Sequence, residues 1–164
     1  MTSVPPPQPT VSLRQLAPGT EMSGVLALVA DAFAYMDGRI DPPSSVHDLT
    51  ADMLARSARD GEVWAICEGD LPVACVVLTP KDGALYLGKL AVRQDRRGRG
   101  LARRLVDQAC RSARQRGLPW VELQTRVELT ENQAAFAALG FIETARTAHP
   151  GYLRPTSITY RKRV

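Results

Sequence analysis

Apolar and polar positions along the chain change period several times, and each change marks an element. Val11-Ser12-Leu13-Arg14-Gln15-Leu16 alternates, which predicts a first strand. Between Glu21 and Met36 the apolar residues Met22, Val25, Leu26, Val29, Phe33 and Met36 recur every three or four positions, the spacing of one helix face. Pro42-Pro43 breaks that pattern, and Ser44 or Ser45 can cap a second helix running to about Arg59, with Val46, Leu49, Met53 and Leu54 inward. Three strand-like runs follow, Val63 to Glu68, Pro72 to Leu78 and Ala84 to Val92, separated by Gly69-Asp70 and Lys81-Asp82-Gly83. Val73 to Leu78 is continuously apolar, as in a strand covered on both faces.

A helix is expected from Gly100 to about Arg116, with Leu101, Leu105, Ala109 and Ala113 in one stripe and Gly117 and Pro119 ending it. Trp120 to Arg126 reads as a strand, and Thr130 can cap a short helix ending at Gly140. Phe141 to Thr147 and Ser157 to Arg163 form a closing hairpin. The order β-α-α-β-β-β-α-β-α-β-β mixes hairpins with crossover helices and predicts a mixed α/β, α+β-like sheet between helices. Residues 1–10, with Pro5-Pro6-Pro7 and Pro9, are expected to form a flexible tail before a single domain over 11–164.

The length of 164 residues suits one domain, and 45% apolar with 23% charged residues argues against global disorder. No apolar run is long enough for a membrane span, and the N-terminus shows no basic-then-apolar signal pattern. Cys67, Cys75 and Cys110 sit in apolar settings without metal-ligand spacing and read as reduced core thiols. A cytoplasmic protein with no metal and no membrane partner is expected.

Charge changes the picture more. The net +4 conceals −6 over residues 1–88 and +10 over 89–164, and Arg93 to Arg116 alone holds nine Arg against two Asp. Such an excess suits a polyanion. In its midst lies Arg96-Arg97-Gly98-Arg99-Gly100-Leu101-Ala102, at the junction of a strand and a helix. Two glycines at i and i+2 allow a tight turn with successive N–H groups converging, and the helix adds its unpaired first-turn donors. Together they make a pyrophosphate cradle. A dinucleotide Gly-x-Gly-x-x-Gly fails because Arg103 stands at the third glycine, and no Gly-Lys-Ser/Thr completes a P-loop.

From Leu90-Ala91-Val92, through the six-residue step from Val92 to Gly98, Arg97–Ala102, the helix to Arg116-Gly117, the strand Val121–Thr125 and Leu139-Gly140-Phe141, the sequence resembles the GNAT superfamily of acetyl-CoA-dependent N-acetyltransferases. The matching stretch is about residues 85–143, and the flanking elements fit. The resemblance implies a central mixed sheet with helices on both faces and splayed parallel strands in the middle. Acetyl-CoA would be the cosubstrate, bound by Leu90, Ala91, Val92, Arg97, Gly98, Arg99, Gly100, Leu101, Ala102 and Phe136. An amine would attack the thioester directly in a ternary complex, on a monomer or homodimer. The family pattern prefers Gln or Arg where this chain has Asp95. Many members also carry a Tyr, as acid for the departing thiolate, where this chain has Phe136.

Tyr152 and then His149 are the first candidates for proton transfer, with Tyr86, Glu122, Glu128 or water as further possibilities for the base. Tyr35, Asp37 and Asp41 are expected near the acceptor, where the acids would favour a cationic amine. Two other readings compete: an acyl-CoA-binding domain without transfer, suggested by Phe136, and, more remotely, nucleic-acid binding through the arginines. The second has no zinc, RNP-like or helix-turn-helix pattern behind it, so no nucleic-acid partner is expected.

Overall fold

The computed structural model describes residues 2–6 and 10–164, so the tail expected over 1–10 lies partly outside the described residues. Seven strands form one sheet in the order β1-β2-β3-β4-β5-β7-β6. These are β1 (Val11–Leu16), β2 (Glu62–Glu68), β3 (Leu71–Lys81), β4 (Ala84–Val92), β5 (Trp120–Arg126), β6 (Ile142–Thr147) and β7 (Ser157–Arg163). All neighbours run antiparallel except β4 and β5.

The helices are α1 (Ser23–Phe33), α2 (Ala51–Asp60), α3 (Leu101–Gln115) and α4 (Thr130–Ala138). The apolar run in β3 resolves into two alternating sets. Ala74, Val76 and Leu78 join Leu101, Leu105 and Ala109 of α3, while Cys75 and Val77 join Val25, Leu28 and Leu54 of α1 and α2. Period-two alternation thus gives the sheet one core on each face, both apolar.

Several boundaries differ from the sequence pattern, β3 reaching Leu71 and Lys81 at its two ends. The first helix gives way after Phe33 to a 3-10 turn over Ala34–Met36. The second is not continuous from Ser45. Ser44 caps only the 3-10 turn Ser45–Asp48, and Leu49 is extended. Thr50 then caps α2 by accepting the Met53 N–H at 3.2 Å. Two side-chain oxygens competing for nearby backbone donors split what periodicity alone joins. At α4 the N-cap is Leu129, with no side-chain cap bond, and Thr130 is already helical. No described helix is long and apolar enough to cross a membrane.

Candidate functional site

β4 and β5 pair over only two positions, Leu85 with Val121 and Tyr86 with Glu122. Beyond Tyr86 they diverge. The wedge so opened is a cavity of about 770 Å³ that runs from Gly98 and Gly100 past Gly88–Val92 to Gln124–Arg126, His149 and Ser157.

A bulge shapes its β4 wall. The β3 register shifts between Cys75 and Val77, and Lys89 takes φ 53°, a left-handed backbone unusual for a side chain with Cβ. The Lys89 carbonyl, displaced from the ladder, lies 3.6 Å from Cys75 Sγ as an acceptor. Burial pushes that thiol up to about 12, so it stays protonated. All three cysteines are buried and free, and none lines the cavity.

At the other end Gly98 and Gly100 adopt φ +76° and +77°, and Gly100 is the left-handed N-cap of α3. A Cβ at either would meet nothing within 4 Å, and neither backbone N–H has a backbone partner among the described residues, at the positive end of a 15-residue helix. The arginines around this loop divide. Arg96 makes a two-pronged pair with Glu68 of β2, its Nη2 at 2.9 Å, and lies 3.0 Å from Asp95. Arg93 also pairs with Asp95 at 2.7 Å. Asp95, the departure from the family pattern, therefore staples the turn that leads into the glycines. Arg97, Arg99, Arg103 and Arg104 have no ion-pair partner among the described residues. Arg96 is thus a structural cation, and the available charge belongs to the others.

Nine of the ten residues expected along the coenzyme path line this cavity; Arg99 does not. Phe136 lines it while its ring packs edge-on against Phe141 at 6.0 Å and beside Tyr160 at 6.4 Å. Of the acceptor candidates only Tyr35 is at the cavity wall. Asp37 is held by His47 at 2.7 Å, and Asp41 accepts the Tyr152 hydroxyl at 2.6 Å. Neither acid reaches the cavity lining, because each is used to tie loops together.

Tyr152 likewise stands outside the lining, and the hydrogen bond to Asp41 pushes its pKa up. His149 does line the cavity. Its Nδ1 contacts the hydroxyl of Thr156, a fully buried residue, and its backbone N–H donates to the same oxygen at 2.9 Å. With the ring proton on Nδ1 shared with Thr156, Nε2 is left as a free acceptor. Burial, and then the Arg126 charge, hold the His149 pKa below its usual value of 6.5.

Tyr86, in the wedge vertex, is pushed the other way by burial and by Glu122. Glu122 pairs with Arg161 at 3.0 Å, and neither it nor Glu128 lines the cavity. Two cavity cations, Lys89 and Arg126, escape sequence reasoning. The only signal is a lysine beside a glycine inside an otherwise apolar strand.

One flank of the cavity is bridged. Asn132 Nδ2 donates to the Tyr35 hydroxyl at 2.9 Å, and Arg39 pairs with Glu131 at 2.6 Å. The turn after α1 is thereby joined to the start of α4.

A family model described as the acetyltransferase (GNAT) family matches residues 28–141. No curated protein matches. Among solved structures, the fold is similar to an acetyltransferase of the GNAT family from Staphylococcus aureus (TM-score 0.73, 12% identity, 94% of this chain and 99% of that one). It is similar also to a GNAT family acetyltransferase from Elizabethkingia anophelis with acetyl-CoA bound (0.67, 16%, 94% and 98%). A third is the ribosomal-protein-S18-alanine N-acetyltransferase from Escherichia coli (0.65, 16%, 94% and 94%). At these identities the likeness is one of fold.

Proposed function

The chain belongs to the GNAT acetyltransferase family, and on that premise we propose that it transfers an acetyl group from acetyl-CoA to a primary amine in a ternary complex. The observation that carries this reading is the wedge between β4 and β5. It joins a phosphate cradle at one end to a neutral imidazole at the other through one cavity.

The residues fit the cosubstrate. Backbone N–H groups without a backbone partner at Gly98 and Gly100, the α3 N-terminus and unpaired Arg97 suit a pyrophosphate. The unpaired β4 edge over Gly88–Val92 suits an amide-bearing arm lying beside it like another strand. A backbone N–H released at the bulge can polarise the thioester carbonyl and stabilise the charge that grows on its oxygen.

An alkylammonium, with a pKa of ~10.4, must lose a proton before it attacks. His149 is unprotonated at neutral pH, and Nε2 takes the proton that leaves the nitrogen as the N–C bond forms and the C–S bond breaks. The thiolate departs as such and is protonated by solvent, a tolerable exit for a group of pKa ~8.5. His149 therefore ranks ahead of Tyr152. We further propose a single domain over 11–164 and no protein nucleophile.

Phe136, together with a Tyr152 held outside the cavity, favours one rival: acyl-CoA binding without transfer. Thiol release from acetyl-CoA with a broad amine panel tests the proposal. Tight acetyl-CoA binding with no release above the acceptor-free rate would leave the rival standing.

A further inference from the structure

The acceptor end of the cavity carries two cations that have no ion-pair partner among the described residues. Lys89 on β4 and Arg126 on β5 both line it. Lys89 Nζ contacts Ser45 Oγ at 3.4 Å, and Arg126 donates to the carbonyls of Pro42 at 2.9 Å and Pro43 at 3.3 Å. Among the described residues neither cation has a carboxylate within ion-pair distance. Pro42 and Ser45 are three residues apart, so both cations attach to one stretch of loop no more than about 11 Å long.

The nearby acids make their contacts elsewhere, except that the buried Oε2 of Glu128 has no hydrogen-bond partner among the described residues. Asp37 holds His47, Asp41 takes the Tyr152 hydroxyl, Glu131 pairs with Arg39, and Glu128 faces Arg154 at 3.4 Å. Burial holds the Lys89 pKa down, and burial likewise lowers Arg126 although Glu128 and Asp41 act on it from beyond ion-pair distance. Part-buried cations without a direct carboxylate partner leave their strongest donor positions to a ligand anion.

The coenzyme pyrophosphate is not that anion. Lys89 precedes the end of β4 by three residues, about 10 Å of strand, and the glycine loop lies beyond that end. Arg126 is fastened to Pro42 and Pro43, away from that loop.

We propose that the acceptor is an amine that also carries an anionic oxygen group, a carboxylate or a phosphate, gripped by Lys89 and Arg126 while its nitrogen faces His149. This rests on the acetyl-transfer reading above. It reverses the sign of acceptor expected from Asp37 and Asp41.

Matched acceptors test it: glycine against glycinamide, β-alanine against β-alaninamide, and phosphoethanolamine against ethanolamine. The amine of glycinamide is the less basic, so more of it is unprotonated at neutral pH, and this bias works against the expected result. An anionic member of a pair should show kcat/KM at least tenfold above its neutral partner, and the pair that shows it distinguishes carboxylate from phosphate. Lys89→Met and Arg126→Gln should each raise KM for the anionic acceptor about 10- to 100-fold, with acetyl-CoA affinity unchanged in Arg126→Gln and Lys89→Arg retaining most of the preference.

Equal use of both members in every pair overturns the receptor while acetyl transfer stands. So does an equal kcat loss of the variants on both members, or a loss of acetyl-CoA affinity in Arg126→Gln. Calorimetric titration of N-acetylglycine, N-acetyl-β-alanine and N-acetylphosphoethanolamine, each against its neutral counterpart, into the CoA-saturated protein reads the receptor without turnover. A tenfold preference for an anionic product, lost in both variants, supports it even where no thiol is released and acetyl transfer fails. No preference overturns it.

Discussion

Three glycines separate backbone strain from ligand contact. Gly98 and Gly100 in the cradle, and Gly83 in the β3–β4 turn, have φ of +76°, +77° and +76°. At all three a Cβ meets no heavy atom within 4 Å, so alanine introduces left-handed strain and no collision, about 1–2 kcal/mol each. At about 2.1 cal/mol/K per residue, 164 residues give an unfolding entropy of roughly 340 cal/mol/K, so each substitution lowers Tm by about 3–6 °C. Ligand binding divides them. At Gly98 and Gly100 the new methyl occupies the space proposed for phosphate oxygens. Loss of one charge-assisted N–H contact, about 1.5–3 kcal/mol, weakens acetyl-CoA by about 10- to 100-fold. Thermal unfolding and titration calorimetry on Gly83→Ala, Gly98→Ala and Gly100→Ala measure both quantities. Three similar Tm losses are expected, with affinity lost only in the last two. Parental affinity in Gly98→Ala and Gly100→Ala, or an equal loss in Gly83→Ala, would refute the cradle.

Other expectations are narrower. His149→Gln should lower kcat at pH 7 by about 10²-fold or more and remove the acid limb of the pH profile, which in the parent lies below 6.5 because the native imidazole resists protonation. As the unfolded state binds that proton more readily, stability should also decline as pH falls through about 6.5. Thr156→Val should shift that limb, with Thr156→Ser restoring it; an unmoved limb would separate Thr156 from the proton chemistry. Tyr152→Phe should leave kcat within about twofold, and a large loss would return Tyr152 to the mechanism.

Glu62 is buried, and burial raises its pKa. Hydrogen bonds from Trp64, Arg116 and Ser112, with the Arg116 charge, outweigh burial and lower it. Its stabilisation is therefore present above pH 4.5 and lost as pH falls through 4.5 toward the native value. Arg116→Met should cost about 2 kcal/mol in denaturant unfolding at pH 7, discounted because the guanidinium is partly exposed.

Elements whose signal is local were legible in advance. β1, β4, β5 and β7 have the expected bounds because alternation and flanking Gly, Pro or Asp residues define both ends. The tight turn at Gly98 and Gly100 was legible for the same reason: φ above zero at two spaced glycines is a property of a few residues. What escaped detection is tertiary. Asp41 and Tyr152 meet across 111 positions and Arg39 and Glu131 across 92, so no spacing rule shows that these acids are engaged before an acceptor arrives. The bulge at Lys89 needs a neighbouring strand to be out of step with, and the strand alone does not reveal it.

The Tyr35–Asn132 and Arg39–Glu131 bridges give dissolved salt two opposed effects. Both sit in contact with water, and Arg39 and Glu131 keep about two-fifths and half of their side chains exposed. At physiological ionic strength fields are screened over about 8 Å, so added salt weakens this ion pair and lets that flank of the cleft part more often. The same ions screen Arg97, Arg99, Arg103 and Arg104 and slow the capture of a polyphosphate. One influence hastens exchange of bound molecules and the other hinders their arrival. Turnover should therefore pass through a maximum with rising potassium chloride, at a concentration set by the balance of the two.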